Sequence, residues 1–377
     1  MGKKIAVLGA TGSIGKNTLD VVRRGDFETV LLSAHTGRDS LINLKKEFPN
    51  ALLVLSGTEN SPPPVDYSGR QGLLEAIKKC GADIVVNGIA GAGGLEPSIA
   101  ALSAGCRLAL ANKETIVMAG PLIFDLERKN NAKIIPVDSE HSAIFNLMEA
   151  HGKENIDEII LTASGGPFRN YKKERLEKVT LNEALAHPTW NMGPKITVDS
   201  ATLANKGLEV IEASLLFGFP PEKIKVLIHK QSVVHSLIRL KNGMVYAQLS
   251  RPDMRFPIAN ALYWPDMAPA FDNPGFEGLS LDFEKPDTER FPMLAFAYEA
   301  LKKGPYYPAI YNAANEIAAE AFLEQRINFL EIPEITGYVL DNIRLPDKNG
   351  IDLAGILETD KTARETALAL IGRKKKC

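Results

Sequence analysis

The stretch KIAVLGATGSIGKNTLDVVRR, residues 4–24, decides the fold of the first part of the chain. A short apolar run leads into Gly9, Gly12 and Gly15, and a stretch with helical periodicity follows the last glycine. Glycines between a strand and a helix permit a tight turn, and the N–H groups that begin the helix can bind a pyrophosphate. The stretch therefore predicts the nucleotide-binding turn of an α/β domain, with a ligand-free glycine-rich turn as the alternative.

The alternation of strand and helix patterns continues to residue 138, with apolar runs such as TVLLSA, DIVVNG, RLALA and KIIPV. This rhythm predicts a parallel sheet with helical crossovers. Later residues carry mixed strand patterns (IDEIILTA, KITVD, KVLIH, VVHSLIRL and MVYAQLS), one long helix over 200–217, and then helical patterns alone. We expect an α/β protein with four parts: a Rossmann-like nucleotide domain (1–138), a central α+β domain (139–263), a linker (264–289) and a C-terminal helical bundle (290–377).

Composition and charge narrow the classes of partner. The chain has 44 Lys and Arg against 46 Asp and Glu, a formal net charge of −2, so we expect neither a nucleic acid nor an anionic membrane as partner. No uninterrupted apolar run reaches the roughly 18 residues that a membrane span needs. Three scattered cysteines are too few for a disulfide framework, which favours the cytoplasm.

The end of the second predicted strand indicates which nucleotide is bound. An NAD site places an acidic residue there to accept the ribose hydroxyls, whereas this chain has Gly37, Arg38 and Asp39. A cation suits a 2′-phosphate, so the sequence favours NADPH, although Asp39 would repel that phosphate. An ordinary solvated arginine is the alternative.

Carboxylates follow another predicted strand. Asp138, Ser139 and Glu140 come directly after KIIPV, and a hard divalent cation prefers such oxygen ligands. Capping of the next helix explains these residues equally well, so a third carboxylate must decide. Glu209, further along the predicted long helix, could supply it.

The segment from residue 187 to 209 is dense in polar groups. Its first part holds His187, Trp190 and Met192 without periodicity, which suits a lid over a ligand or a loop pinned by a buried tryptophan. We expect Ser200 to begin a helix whose N-terminus holds a phosphate, with donors from Asn205 and Lys206. Lys113 and Ser164 also follow predicted strands, where they could contact an anionic substrate or merely stabilise a turn.

Together these strings resemble those of one family, the 1-deoxy-D-xylulose 5-phosphate reductoisomerases of isoprenoid-precursor synthesis. The matching strings run in order from residue 9 to beyond residue 315: GATGSIG, NGIAGAGG, ANKE, PVDSEHSAIF, TASGGPF, HPTWNMGPKITVDSATLANKGLE, QSVVHS, PDMRFPIA and NAANE. The string that begins at His187 and ends at Glu209 is the most specific.

The resemblance implies an NADPH-dependent enzyme with Mg²⁺ or Mn²⁺, or Co²⁺, which rearranges a ketose phosphate and reduces the product to 2-C-methyl-D-erythritol 4-phosphate. It also implies a homodimer and the following roles. The metal ligands would be Asp138, Glu140 and Glu209. The catalytic residues would be Lys113, Glu140, His187 and Glu209. The substrate site would comprise Lys113, Ser139, Glu140, Ser164, His187, Ser200, Asn205, Lys206 and Glu209, with Trp190 and Met192 as lid. The NADPH site would comprise Thr11, Gly12, Ser13, Ile14, Gly37, Arg38, Asp39, Asn112, Glu114 and Gly193. Where the family commonly reads Gly-Lys-Asn, this chain has Gly37, Arg38 and Asp39.

Three other functions remain as alternatives. Tyr298 and Lys302 match the YxxxK pattern of short-chain dehydrogenases, but they lie in the helical C-terminal region. A semialdehyde dehydrogenase needs a nucleophilic cysteine, and neither Cys80 nor Cys106 lies in an activating sequence context. A non-enzymatic NADP sensor would bind the nucleotide without turnover, against which the polar segment of residues 187–209 argues.

Overall fold

The computed structural model describes residues 2–190, 192–272, 275, 277–343, 345 and 351–374, so that Cys377 and Asn191 lie outside the described residues. The chain divides into two compact units. The first comprises Met1–Thr115, Ile123–Phe145 and Asp253–Asn273, and the second comprises Ile116–Leu122, Asn146–Pro252 and Pro274–Cys377. The division into four parts at residues 138, 263 and 289 stays a prediction.

The first unit is built on a seven-stranded parallel sheet. Its strands are β1 Lys3–Leu8, β2 Phe27–Ala34, β3 Leu52–Leu55, β4 Tyr67–Ser68, β5 Ile84–Asn87, β6 Arg107–Leu110 and β7 Lys133–Pro136. Its helices are α1 Ser13–Val22, α2 Arg38–Glu47, α3 Gly69–Lys79, α4 Leu95–Ser103, α5 Lys113–Lys129 and α6 Ser139–His151, the last two of which continue into the second unit. The predicted α/β class with a Rossmann-like first part is confirmed.

The order of the strands places the candidate ligand crevice. The sheet runs β4-β3-β2-β1-β5-β6-β7, so the direction of the crossovers reverses between β1 and β5. Ligands of open parallel sheets bind beyond the carboxyl ends of the strands at such a reversal. The glycine-rich turn that follows β1 lies at this point.

The second unit contains a four-stranded mixed sheet and most of the later helices. Its strands are β8 Ile156–Ala163, β9 Ile224–Ile228, β10 Val234–Leu240 and β11 Val245–Leu249, in the order β11-β10-β8-β9. Its helices are α7 Lys173–Leu176, α8 Leu181–Leu185, α9 Pro194–Thr202, α10 Ala204–Phe217, α12 Met293–Lys303, α13 Tyr307–Leu323, α14 Glu331–Asn342 and α15 Leu353–Lys374. Helix α11, Arg255–Tyr263, belongs to the first unit, where Arg255 bonds to Asp20 of α1 at 2.9 Å. Among the helices described, none combines the length and the apolar character that a membrane crossing requires.

One predicted strand is wrong. The run KITVD, residues 195–199, lies in helix α9. Pro194 occupies the first turn, where its fixed φ favours a helix, and the Thr197 hydroxyl donates to the Gly193 carbonyl at 2.8 Å. The Asp199 side chain accepts a hydrogen bond of 2.9 Å from Asn315 of α13. The proline at the start of the helix and the tertiary contact with Asn315 therefore override the β-branched composition of this run.

The predicted single helix over residues 200–217 is also wrong. Leu203 has φ of +62° and separates α9 from α10. Ser200 consequently lies in the last turn of α9 and does not begin a helix. Its N–H group cannot belong to a helix N-terminus that holds a phosphate, so any role of Ser200 must come from its side chain.

Candidate active site

The turn between β1 and α1 has the geometry of a nucleotide loop. Gly9 has φ of +77°, and a Cβ on Gly15 would lie only 2.3 Å from the Gly9 carbonyl oxygen. Only glycine therefore permits this close packing of helix against turn. Helix α1 begins after Gly12 with no side-chain cap and no acidic residue in its first turn. Its positive end can therefore receive an anion.

The end of β2 lies beside this turn. A Cβ on Gly37 would lie 3.4 Å from the Thr11 hydroxyl oxygen, so the structure brings the predicted nucleotide residues of the two loops together. These residues are Thr11, Gly12, Ser13, Ile14, Gly37, Arg38 and Asp39. The Asp39 side chain is 96% exposed, whereas that of Arg38 is 34% exposed.

Asn112 and Glu114, two further predicted nucleotide residues, are buried at the start of α5. The Asn112 amide donates to the carbonyl oxygens of Ile89 and Gly91 at 2.7 and 2.8 Å, and its oxygen accepts from the Thr115 N–H at 3.0 Å. The Asn112 side chain thus caps α5 and holds the loop after β5. Sequence reasoning assigned no role to that loop, although NGIAGAGG was among the matching strings.

A buried charge cluster follows β6 and β7 in the first unit. The Lys113 ammonium lies 2.5 Å from Asp138, whose side chain is 11% exposed, and the other Asp138 oxygen lies 3.1 Å from His141 Nδ1. The Ser139 hydroxyl donates to Glu140 at 2.5 Å, and the Glu140 N–H donates to Asp138 at 3.3 Å. The predicted residues Lys113, Asp138, Ser139 and Glu140 therefore come together, partly through the capping geometry that was the alternative.

His141 was missed by sequence reasoning. It is fully buried and lies three residues after Asp138 at the start of α6. The available signal was this spacing, because residues three apart on a helix face the same side.

A second buried cluster lies on α10. The Asn205 amide donates to Glu209 Oε1 at 2.5 Å, and the Lys206 ammonium contacts Glu209 Oε2. The Lys206 and Glu209 side chains are 4% and 1% exposed. A Cβ on Gly207 would lie 2.4 Å from the Tyr311 hydroxyl, so the close approach of α10 to α13 needs this glycine. The predicted residues Asn205, Lys206 and Glu209 are thus held as one group.

His187 and Ser164 also come together. The Ser164 hydroxyl lies 3.0 Å from His187 Nε2, while Nδ1 accepts from the N–H groups of Thr189 and Trp190 at 3.1 and 2.8 Å. Since Nδ1 accepts twice, the proton of the neutral ring belongs on Nε2, which donates to Ser164. Burial, followed by the positive charge of Arg169, lowers the pKa of His187 to about 4.

Close packing joins the Ser164 loop to the junction of α9 and α10. Gly166 has φ of +68°, and a Cβ there would lie 2.6 Å from the Ser200 carbonyl oxygen. The Ser164 carbonyl accepts from Arg169 at 3.0 Å, a residue that sequence reasoning did not select. The loop that carries Ser164 therefore packs against the end of α9, where Ser200 lies.

The predicted lid residues lie before α9. The Trp190 ring packs edge to face against His235, with centroids 6.3 Å apart. His235 is fixed in turn by the carbonyl and hydroxyl oxygens of Ser250 at 3.1 and 2.9 Å. Met192 is half-buried, and Gly193, a predicted nucleotide residue, precedes the first residue of α9 in the second unit.

These features define the class of protein. A glycine-rich turn after β1, a cation at the end of β2 and a nearly buried lysine–carboxylate pair beyond β6 and β7 are the parts of a nucleotide-dependent Rossmann-type enzyme. Two of the rival functions, the short-chain dehydrogenase and the semialdehyde dehydrogenase, lose support because the tyrosine hydroxyl is engaged by a backbone carbonyl and the thiol is not activated. The Tyr298 hydroxyl donates to the Ile224 carbonyl at 2.9 Å, and burial raises the pKa of the Cys106 thiol to about 11.

Comparison with known proteins identifies the family. Models of the 1-deoxy-D-xylulose 5-phosphate reductoisomerase match residues 5–120, and models of its C-terminal domains match residues 134–217 and 249–366. The reductoisomerase of Treponema denticola is 49% identical and covers 90% of each chain. That of Chlorobaculum tepidum is 47% identical and covers 98% of this chain and 100% of its own. The chain belongs to the 1-deoxy-D-xylulose 5-phosphate reductoisomerase family, which confirms the resemblance in sequence.

Solved structures of reductoisomerases are similar in fold to this chain. A reductoisomerase in complex with NADPH, fosmidomycin and magnesium is 37% identical, with a TM-score of 0.92 over 99% of both chains. The Zymomonas mobilis enzyme in complex with NADPH is 39% identical, with a TM-score of 0.89 over 98% of this chain and 99% of its own. The predicted fold class is therefore that of this family.

We predict that His187 stays neutral, as the Nε2–H form, well below neutral pH. Its pKa is lowered from 6.5 to about 4 in the folded protein. Between these pH values the unfolded chain binds more protons than the folded chain, so the contribution of His187 to the free energy of unfolding is lost as pH falls from 6.5 to about 4. Nitrogen NMR of the histidines, with His187→Gln to assign the signal, should give a midpoint near 4. A midpoint near the ordinary histidine value of about 6.5 would contradict the inferred geometry.

Proposed function

We propose that this chain converts 1-deoxy-D-xylulose 5-phosphate to 2-C-methyl-D-erythritol 4-phosphate, with NADPH and Mg²⁺ or Mn²⁺, or Co²⁺, as cofactors. The observation that carries the proposal is the presence of a nearly buried carboxylate in each unit of a chain with a nucleotide fold, Asp138 at 11% and Glu209 at 1% exposure. Carboxylates are this deeply buried only when they are paired or bind a cation.

The residues fit NADPH. Helix α1 presents an uncapped N-terminus behind Gly9, Gly12 and Gly15, and the lack of a side chain at Gly15 lets the helix pack closely against the turn, so that its N–H groups can bind a pyrophosphate. Arg38 supplies the cation for a 2′-phosphate. Asn112 supports the loop after β5, Glu114 accepts a hydrogen bond of 3.0 Å from Asn112, and Gly193 completes the proposed set.

The donor set also fits a hard divalent cation. Asp138, Glu140 and Glu209 are the proposed ligands, because carboxylate oxygens suit Mg²⁺ and Mn²⁺. Lys113 offsets the charge of Asp138, and Lys206 offsets that of Glu209. The lysines thereby hold both carboxylates in position, and His141 orients Asp138.

When bound, NADPH is the source of the hydride and the divalent cation is a Lewis acid toward the substrate oxygens. Lys113 stabilises negative charge that develops on a substrate oxygen. The substrate phosphate receives hydrogen bonds from polar groups of the second unit: Ser164, His187, Ser200, Asn205 and Lys206. Trp190 and Met192 cover the substrate and exclude water from the aldehyde intermediate.

We also infer a homodimer. Strand β11 is an edge of the four-stranded sheet, and its first residue Val245 and the preceding Met244 are 44% and 53% exposed. An apolar edge strand pairs readily with another chain. The cytoplasm stays the predicted location on the cysteine count, and a small sugar phosphate, neither nucleic acid nor membrane, is the proposed partner.

The dimer is tested by analytical ultracentrifugation. We expect the wild type to sediment as a dimer and Val245→Lys to shift it toward monomer, since a lysine on an edge strand opposes pairing. Leu368→Lys, at a residue of the same 44% exposure on α15, is the matched control and should stay dimeric. A monomeric wild type, or equal effects of both variants, would contradict a dimer through β11.

The activity is tested by the loss of NADPH absorbance with 1-deoxy-D-xylulose 5-phosphate. We expect oxidation that stops when a chelator removes the divalent cation and resumes when Mn²⁺ is added. NADPH that is bound tightly without oxidation under any metal would instead favour a nucleotide sensor.

Glu209→Gln tests the ligand set. Because this change removes a charge and keeps the size, we expect turnover to fall by more than about 100-fold, the loss seen for residues that merely support a metal ligand. NADPH binding should be retained. Glu47→Gln is the control, since its carboxylate pairs with Arg23 on the surface at 2.8 Å. Unchanged turnover in Glu209→Gln would exclude Glu209 as a ligand.

A further inference from the structure

The Arg38 side chain is held by a loop that sequence reasoning did not connect with it. Its Nε donates to the Ser61 hydroxyl at 3.4 Å, and its Nη2 donates to the carbonyl oxygens of Pro62 and Pro63 at 3.3 and 3.2 Å. We propose that this loop, residues 61–63, is a positioning element that aims Arg38 at the 2′-phosphate and so sets the preference for NADPH over NADH. The inference rests on the proposed function.

The hydrogen bonds to the loop involve two of the three guanidinium nitrogens of Arg38. Arg38 Nε and Nη2 bind the loop, whereas Nη1 lies 4.0 Å from Oδ1 of Asp39. A guanidinium is a planar fork with five N–H donors, so it can bind the loop on one edge and a phosphate on another. The contacts therefore leave Arg38 able to bind a phosphate through Nη1.

The composition of the loop suits a positioning role. Proline fixes φ near −65°, and a following proline restricts ψ, so Pro62 and Pro63, each of which precedes another proline, hold their carbonyl oxygens in a narrow range of positions. A mobile arginine loses side-chain entropy when it binds a ligand. Because Ser61, Pro62 and Pro63 restrict Arg38 beforehand, less of that entropy remains to be lost when the nucleotide binds.

The surroundings of Arg38 also favour an anion. Arg38 is the first residue of α2, which has no side-chain cap, and Gly37 packs against Thr11 of the nucleotide turn. Asp39, which we expected to repel the phosphate, has its side chain 96% exposed. Water screens an exposed charge strongly, so the repulsion from Asp39 is weak.

Ser61→Ala tests the proposal, since it removes one contact of Arg38 and keeps the loop backbone. We expect KM for NADPH to rise about three- to tenfold, the range for one lost hydrogen bond, while KM for NADH does not change. The loss should fall on KM and not on kcat. Ser103→Ala, the same change at an exposed position at the end of α4, is the control for both cofactors.

Binding without turnover gives a second readout. Calorimetry should show weaker binding of 2′,5′-ADP by Ser61→Ala and unchanged binding of 5′-AMP, which lacks the 2′-phosphate. In Arg38→Met, adding Ser61→Ala should cause no further loss, because the serine acts only through Arg38.

The outcomes separate the two proposals. The positioning role is wrong, and the proposed function stands, if the wild type oxidises NADPH and Ser61→Ala gives any one of three results. These are no effect, an equal effect on both cofactors, and a further loss of 2′,5′-ADP binding in the Arg38→Met background. If the wild type neither oxidises NADPH nor binds 2′,5′-ADP more tightly than 5′-AMP, the proposed function fails and the positioning role fails with it.

Discussion

The ion pair between the Lys113 ammonium and the Asp138 carboxylate organises the reactive edge of the first unit. Both side chains are nearly buried, and Nζ lies 2.5 Å from Oδ2. Removal of one partner from such a pair costs about 3–5 kcal/mol, since an uncompensated charge stays buried. The pair exists because β6 and β7 are neighbours in the sheet, so the residues that follow them meet at one edge. The order of the strands thus determines which charges can compensate one another.

The second unit achieves the same compensation by a different route. Lys206 and Glu209 lie three residues apart on α10, so the helix itself brings them together. The start of that helix depends on Leu203, a buried leucine with φ of +62°. This conformation is costly for a leucine, by about 1–3 kcal/mol, and persists only where packing determines it. The next residue, Ala204, accepts a hydrogen bond of 3.3 Å from the buried Tyr311 hydroxyl through its carbonyl oxygen.

These two clusters show what the sequence could and could not predict. The turn after β1 was predicted because its strand, glycines and helix are adjacent in the chain. KITVD was misassigned because its β-branched residues favour a strand, whereas Asn315, which binds Asp199, is 116 positions away. The contact of Arg38 with Ser61 was missed for the same reason: it joins loops after two strands, 23 positions apart. The types of residue indicated which groups could bind a cofactor or a metal. Contacts between residues far apart in the sequence determined the hydrogen-bond partner of each group.

The order of the strands also separates the residue proposed to select the cofactor from the residues proposed to act on the substrate. Arg38 follows β2 and Lys113 follows β6, with β1 and β5 between these strands. Adjacent strands are about 4.8 Å apart, so the two strand ends are separated by three spacings, roughly 14 Å. A dinucleotide that binds across this edge, as proposed, has its adenosine phosphate near β2 and its reactive ring toward β6. On this proposal we expect changes near Arg38 to alter the affinity for the cofactor and changes at Lys113 and Asp138 to alter the rate, because the two strand ends are well separated along the sheet.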